Sequence, residues 1–497
     1  MATGVAVFLV AFVFWHAAGA ANESSTIVGR GNEYRLEVIR ESVSVYPARN
    51  LLGVHSLWWG HADGLLEQAT ETTHTSVSDL LSQAGGVVRY GGGANEISWR
   101  SCSGPLANRW PVKAVPWAGP MQCRFGIDEY LSLVRNTRGN TAWLIANLVG
   151  ENYRVVSDAK VASDAGAGAA MLATQAVGMH RYWELGNELE RGRYQWSPEQ
   201  IGKRASVVGN AILSKDKVAR LVLPLIEYDD PRQPPRRIFN ERLLSVTTTP
   251  IGGVALHLYY DGKPGGPSVS TQLRTVVETG EQAERMLKRP VELWITEHGR
   301  WPEGDGRDPE WEKNWSQTND LDGVLGTADF IIAISQVPSV AGAMLHGLRA
   351  GPWNVFDIKN GVPQPTGVGY LLKLLGGSGA EVRLKSLTTS RSDSGYAGGY
   401  DLRSAAFLDA AGKNLIVWVV NRANSSAGFS LGLPDTLSLD GDVVGQSLVC
   451  LSEAKACRGE NFRTLGMQPT QIAVQRESAK VNLPARSVSI LRFRVAE

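Results

Sequence analysis

The chain reads as a (β/α)8 barrel followed by an antiparallel β-sandwich, and three observations predict that architecture. Apolar, β-rich runs alternate eight times with helical segments, as expected of parallel barrel strands buried on both faces. Beyond about residue 378 the pattern changes to short alternating runs such as 414–421 and 487–495, separated by Gly, Asn, Asp and Ser turns, which is the pattern of a sandwich. The length, 497 residues of which 43% are hydrophobic, accommodates a barrel of about 250–330 residues and a smaller second domain.

Residues 1–20 have the character of a secretory leader. The first 22 residues carry no Lys, Arg, Asp or Glu, the apolar run 5–15 is too short to span a bilayer, and Ala18-Gly19-Ala20 offers a small-x-small cleavage pattern. In one respect this start departs from the usual pattern, since no basic residue precedes the apolar run. Residues 21–48 form an N-terminal segment in which 34–45 alternates, which suits a strand returning to pair with the sandwich. The barrel spans 49–377, with strands near 51–58, 87–90, 142–147, 182–186, 221–225, 254–259, 292–296 and 342–346. Helices are expected near 127–137, 271–287 and 321–337. Ser197-Pro198-Glu199-Gln200 begins another, with an N-cap, a proline at the first helical position and the Gln of a capping box. Residues 378–497 form the sandwich.

Two of these strands end in carboxylates: Trp183-Glu184-Leu185-Gly186-Asn187-Glu188, and Leu293-Trp294-Ile295-Thr296-Glu297-His298-Gly299. Their separation of roughly a hundred residues is that of the fourth and seventh strands of an eightfold barrel, whose active site lies at the C-terminal strand ends. Glu188 and Glu297 would therefore face one cleft. Such a pair is the minimum equipment for cleaving a glycosidic bond: one carboxyl protonates the leaving oxygen while the other attacks the sugar or activates water. Arg89, ending the second strand, is placed to keep a neighbouring carboxylate ionised through charge-assisted hydrogen bonds. Sugars stack their C–H faces on aromatic rings, so among the 15 tryptophans those in strand-end loops are subsite candidates as well as packing residues; Trp353, in Gly351-Pro352-Trp353-Asn354 after the eighth strand, is the best placed.

These motifs resemble the clan of retaining glycoside hydrolases built on (β/α)8 barrels. The resemblance implies that Glu188 is the acid/base and Glu297 the nucleophile, and that Asn187 hydrogen-bonds the hydroxyl beside the reacting carbon. It also implies that His257 or Tyr259, in the run ending the sixth strand, lies against the nucleophile. Within the clan, Val88-Arg89-Tyr90-Gly91-Gly92-Gly93, Phe125-Gly126-Ile127-Asp128-Glu129-Tyr130 and the segment 182–188 are similar to the α-L-arabinofuranosidase family, which would give Asn95 a substrate-binding role. Ala94 interrupts the Gly-Gly-Asn of that family's pattern. Thr296-Glu297-His298-Gly299 looks closer to β-xylosidases and exopolysaccharide hydrolases. The expectation is an α-L-arabinofuranosidase-like hydrolase; a β-xylosidase, a β-glucuronidase, an endo-acting exopolysaccharide hydrolase or a non-catalytic carbohydrate-binding barrel would share these features.

Other classes lose support. With 50 basic and 49 acidic residues the net charge is +1, so no global field favours nucleic acid or an anionic membrane, and a carbohydrate is the expected partner. After the leader no stretch is apolar enough to span a membrane. The four cysteines fall into local pairs, Cys102 with Cys123 and Cys450 with Cys457, an even count that export would turn into disulfides, with buried thiols as the alternative. Their spacing fits no zinc template, the acidic loop 301–315 lacks the spacing of a calcium loop, and Gly91-Gly92-Gly93 lacks the rest of a phosphate or dinucleotide motif. No metal or cofactor is expected. Neither a Gly-x-Ser-x-Gly elbow nor a His-Glu-x-x-His helix occurs.

Overall fold

A computed structural model describes residues 26–28, 33–91, 99–113, 119–192, 194–262, 266–304, 306, 310–390, 401–434, 437, 439–452, 457–458, 464–470, 472–475 and 478–495. Residues 1–20, expected to form a leader, and Asn95 lie outside the described residues. Eight parallel strands close into a barrel in chain order: Gly53–Leu57, Val88–Gly91, Thr141–Ala146, His180–Leu185, Arg220–Pro224, Gly253–Tyr260, Glu292–Arg300 and Val340–Leu345. The first strand is shorter than the run 51–58 suggests. Ala48–Leu52 forms a 3-10 turn, and Trp58 opens the short helix Trp58–Ala62, where its ring is fully buried rather than offered to a ligand. The seventh strand instead runs on past 296 to Arg300.

Helices Ile127–Arg135, Pro198–Lys215, Val269–Leu287 and Leu321–Ile334 lie where the periodicity predicts them. The capping box closes as expected: Gln200 N donates to Ser197 Oγ (3.3 Å), and Ser197 N donates to Gln200 Oε1 (2.8 Å). Thr75–Ala84, Asp158–Gln175, Arg236–Val246 and Gly367–Gly377 are further helices of the barrel domain.

Three large rings fill the barrel interior. Trp143 stacks on Tyr182 with ring centroids 4.7 Å apart, and Trp294 meets both edge-on at 4.8 and 5.4 Å. Room for them comes from small residues in the same layer, Ala255, Ala341 and Gly342. A Cβ on Gly342 would stand 2.4 Å from the Trp294 ring and 2.7 Å from the carbonyl oxygen of Asn50, so the position admits no side chain while Trp294 is present.

The second domain is a mostly antiparallel sheet, eleven-stranded among the described residues, that wraps its own apolar core of Leu36, Val417, Phe429, Val481 and Phe493. Strand Glu33–Ser42 runs inside this sheet, antiparallel to Val382–Ser390 and parallel to Ala427–Gly432. The other apolar face, with Phe407, Trp418 and Ile490, joins the barrel's core, so the two domains share one continuous interior. Buried ion pairs cross the junction: Asp329, on helix Leu321–Ile334, takes Arg403 and Arg422 (2.8 Å), and Arg422 also reaches Asp261 (2.8 Å), just beyond the sixth strand. The cysteines form disulfides in the two local pairs, Cys102–Cys123 and Cys450–Cys457. Among the described residues, no helix is long and apolar enough to cross a membrane.

Gly342→Ala is expected to lower stability by about 2 kcal/mol, as overpacking does. Adding Trp294→Phe to that variant should restore part of the loss, because the two changes share one contact. Thermal melts of the single and double variants check this; strictly additive losses would show that the ring does not set the space at 342.

Candidate active site

At the C-terminal mouth of the barrel the strand ends converge on one buried guanidinium. Arg89 has no solvent exposure and donates from Nε and NH2 to the two oxygens of Glu184 (2.6 and 3.0 Å), from NH1 to Glu297 Oε1 (2.7 Å) and from NH2 to Asn187 Oδ1 (2.8 Å). The second, fourth and seventh strands are thus tied by one side chain. Glu184 is braced further by the Trp143 indole N–H (3.1 Å) and the Thr296 hydroxyl (3.0 Å).

Two local irregularities aim the other carboxylates. Pairing of the sixth and seventh strands shifts register after Leu256, so that His257 pairs with Glu297 and Thr296 is the extra residue of a bulge. The bulge turns Glu297 into the cleft while Thr296 points to Glu184. After the fourth strand, Gly186 takes φ 93° and Glu188 takes φ 50°. A non-glycine residue in that left-handed region costs roughly 1 kcal/mol and is met where function holds it. This turn brings Glu188 back toward Glu297: one oxygen of each, together with a nitrogen of His257, lie within 4.8 Å of one another.

Glu297 has the densest set of neighbours. Besides Arg89, its Oε2 accepts from the Tyr259 hydroxyl (2.9 Å) and stands 3.0 Å from His346 Nδ1 and 3.5 Å from His257 Nδ1, while Oε1 is 3.3 Å from His55 Nδ1. Burial alone would raise its pKa, but the charge of His257, with the His346 and His55 rings close against the carboxylate, outweighs it and holds the carboxyl well below the usual range. His257 lies 2.9 Å from Glu188 Oε1 and, through Nε2, 3.7 Å from Glu184. Burial opposes its charge, yet Glu297, Glu184 and Glu188 together raise it to about 10. Glu188 goes the other way. Against the upward push of burial, Arg191 and His257 lower it to about 2. The clan role leads one to expect a protonated Glu188; the two cations beside it favour its ionised form, and the surrounding carboxylates favour the charged form of His257, so the proton belongs to the pair.

Trp353 closes one side. Its indole lies over Gly299, where a Cβ would come 2.6 Å from the ring, and Nε1 donates to Arg300 O (2.8 Å). The ring is half-buried, 4.7 Å from Tyr259, 4.9 Å from His346 and 5.4 Å from Trp301 by centroids, so it belongs to the wall beside Glu297. Imidazole and carboxylate atoms this close resemble a metal-binding set, yet they are turned onto Arg89, Tyr259 and each other, and we read them as a hydrogen-bonded network.

No protein-family model and no curated protein matches this sequence. Solved structures do. A family 51 α-L-arabinofuranosidase from Bifidobacterium longum aligns with TM-score 0.74 over 93% of this chain and 99% of its own, at 18% identity. One from Xanthomonas axonopodis pv. citri gives 0.73 with the same coverage and identity. A bifunctional glucanase-xylanase from a metagenome library gives 0.60 at 12% identity, over 94% of this chain and all of its own. The chain has the barrel-and-sandwich fold of these glycoside hydrolases.

Sequence reasoning named Glu188, Glu297, Asn187, Arg89, His257, Tyr259 and Trp353, and the structure brings all seven together; Asn95 lies outside the described residues. It missed Glu184, His55, His346 and Arg191. For Glu184 a signal existed, a carboxylate inside an otherwise apolar strand run, where burial without a partner is prohibitive.

The linked protons set a stability window. Glu184 and Glu188, each lowered from 4.5 to about 2, stabilise the fold above pH 4.5 and lose that contribution as pH falls toward 2. His257, raised from 6.5 to about 10, stabilises below pH 6.5 and loses its contribution as pH rises toward 10. Stability from this site should therefore peak between these limits. Melting curves of wild type and His257→Gln across pH check it: the variant should lose the alkaline decline, and an unchanged decline would disprove the assignment.

Proposed function

We propose that the protein is a retaining glycoside hydrolase acting on α-L-arabinofuranosides, with Glu297 as nucleophile and Glu188 as acid/base. The observation that carries this reading is the pair of carboxylates with oxygens within 4.8 Å, close to the spacing of retaining enzymes and well short of the roughly 6.5–9.5 Å that lets a water stand between them in inverting ones. Glu297, kept ionised, attacks the anomeric carbon as the glycosidic bond breaks. The leaving oxygen takes the proton held by the Glu188–His257 pair. In the second half Glu188 takes a proton from water, whose oxygen attacks the same carbon and frees Glu297. Asn187, oriented by Arg89, is placed to hydrogen-bond the hydroxyl next to the reacting carbon, and Tyr259, His257 and Trp353 to contact the sugar. The arabinofuranoside choice rests on the fold likeness to the Bifidobacterium and Xanthomonas enzymes together with the motifs around Arg89 and Glu188. The two disulfides suit an oxidising compartment, which supports export.

The decisive experiment is hydrolysis of a panel of aryl glycosides and oligosaccharides, with the product anomer followed by NMR. We expect release of L-arabinose with retained configuration, abolished in Glu297→Gln. Glu188→Ala should slow unactivated glycosides by about 10²–10⁴-fold while sparing glycosylation from aryl glycosides whose leaving group needs no proton. Equal losses on both substrates would refute the roles assigned to the two glutamates, and release of another sugar would refute the substrate.

A further inference from the structure

The proposed catalytic carboxylates each have an arginine, and the second one has no part in the scheme above. Arg191 follows Glu188 in the loop after the fourth strand, with NH1 3.5 Å from Glu188 Oε1. Its other edges are clamped. Nε donates to Glu190 Oε1 (2.7 Å), NH2 is 3.0 and 3.2 Å from the two oxygens of Glu227 in the loop after the fifth strand, and the Tyr228 ring lies 4.8 Å from the guanidinium carbon. Glu190 is buried and Glu227 nearly so, so the cation is clamped on two edges, and the edge left to it is the one toward Glu188. Such a cluster is costly unless its charges stay matched.

The rest of the surroundings of Glu188 are already described. The sixth strand contributes His257 and Tyr259, the seventh Glu297, and the second Arg89, which bonds the neighbouring Asn187. Among the described residues, Arg191 is the one cation there that takes no contact with Glu297 or Glu184. Its field therefore acts on the Glu188–His257 proton without holding the proposed nucleophile.

We propose that Arg191 is a positioning residue that sets the pH at which the Glu188–His257 pair gives up its catalytic proton, with Glu227 as the opposing charge that limits its pull. The proposal rests on the reading of Glu188 as acid/base. A cation at this distance makes Glu188 a stronger acid, ready to protonate a sugar hydroxyl but emptied earlier as pH rises; a carboxylate behind the cation offsets that effect. The downward shift of Glu188, in which Arg191 is the largest influence after burial, agrees in sign.

The test is the alkaline limb of kcat/KM on an unactivated arabino-oligosaccharide. Arg191→Gln should move the limb up by about one pH unit or more, Arg191→Lys should leave it near the wild-type position, and Glu227→Gln should move it down. On 4-nitrophenyl α-L-arabinofuranoside, whose leaving group needs no proton, none of the three should move it. Opposite shifts from Arg191→Gln and Glu227→Gln are not produced by general loosening of the loop. An unmoved limb, shifts of one sign, or equal shifts on the aryl substrate would overturn the proposal. If neither substrate is hydrolysed by wild type, the functional reading fails, and the proposal is judged separately by NMR titration of the His257 imidazole: its pKa should rise in Arg191→Gln and fall in Glu227→Gln, and any other pattern rejects it.

Discussion

The cleft is organised around the buried guanidinium of Arg89. A cation with no solvent exposure survives only if its donors are taken up, and Glu184, Glu297 and Asn187 take them up from two different strands and the loop that follows the fourth. The reverse is also true. Glu184, fully buried, is tolerable because Arg89 grips both its oxygens and Trp143 and Thr296 complete its shell. Removing one member would leave the others as unpaired buried charges, so the network stands or falls as a unit. Trp143 extends the dependence into the barrel interior, where its ring stacks on Tyr182 and meets Trp294. The packing that closes the barrel and the charges that equip its mouth are thus joined through one indole.

Much of the fold was legible because its signals are periodic. Eight apolar runs with capped helices between them need only binary patterning and turn chemistry, and all eight strand positions agree to within a few residues with 51–58 through 342–346. The first strand is shorter than its apolar run because Leu51 and Leu52 are buried by a 3-10 turn and Trp58 by a helix, and burial alone does not distinguish these from a strand. Glu188, Glu297 and Arg89 were legible because each is a charged residue where an apolar run ends. His55 and His346 carry no such mark: one lies midway along the first strand and the other just past the end of the eighth, and they acquire meaning only when barrel closure brings both to Glu297. The contact between Arg191 and Glu227 depends on two loops meeting, which no local pattern encodes.

The places where regular geometry fails are the places where the carboxylates are aimed. A regular seventh strand would alternate Thr296 and Glu297 to opposite faces, and the bulge lets both side chains serve the same mouth, one bracing Glu184 and the other facing the cleft. The left-handed turn at Glu188 does the same for the fourth strand. Each departure carries a conformational cost that the surrounding hydrogen bonds must offset, which is why the network around Arg89 and His257 is so fully connected.

The sandwich takes part in this as well. Asp261, itself at φ 53°, follows directly on Tyr259 and Tyr260, and Arg422 from the second domain holds it while also holding Asp329 on the helix after the seventh strand. Tyr259 in turn donates to Glu297, so the hydroxyl against the proposed nucleophile sits on a strand whose exit is anchored across the domain junction. Buried, charge-matched contacts of this kind resist sliding more than an apolar interface of equal area does, because displacement by a few ångströms strands a charge rather than merely exchanging one apolar neighbour for another. The continuous core explains why the two domains adhere; the Asp261–Arg422–Asp329 bridge explains why they adhere in one register, and that register fixes the end of the sixth strand from which His257 and Tyr259 reach the cleft.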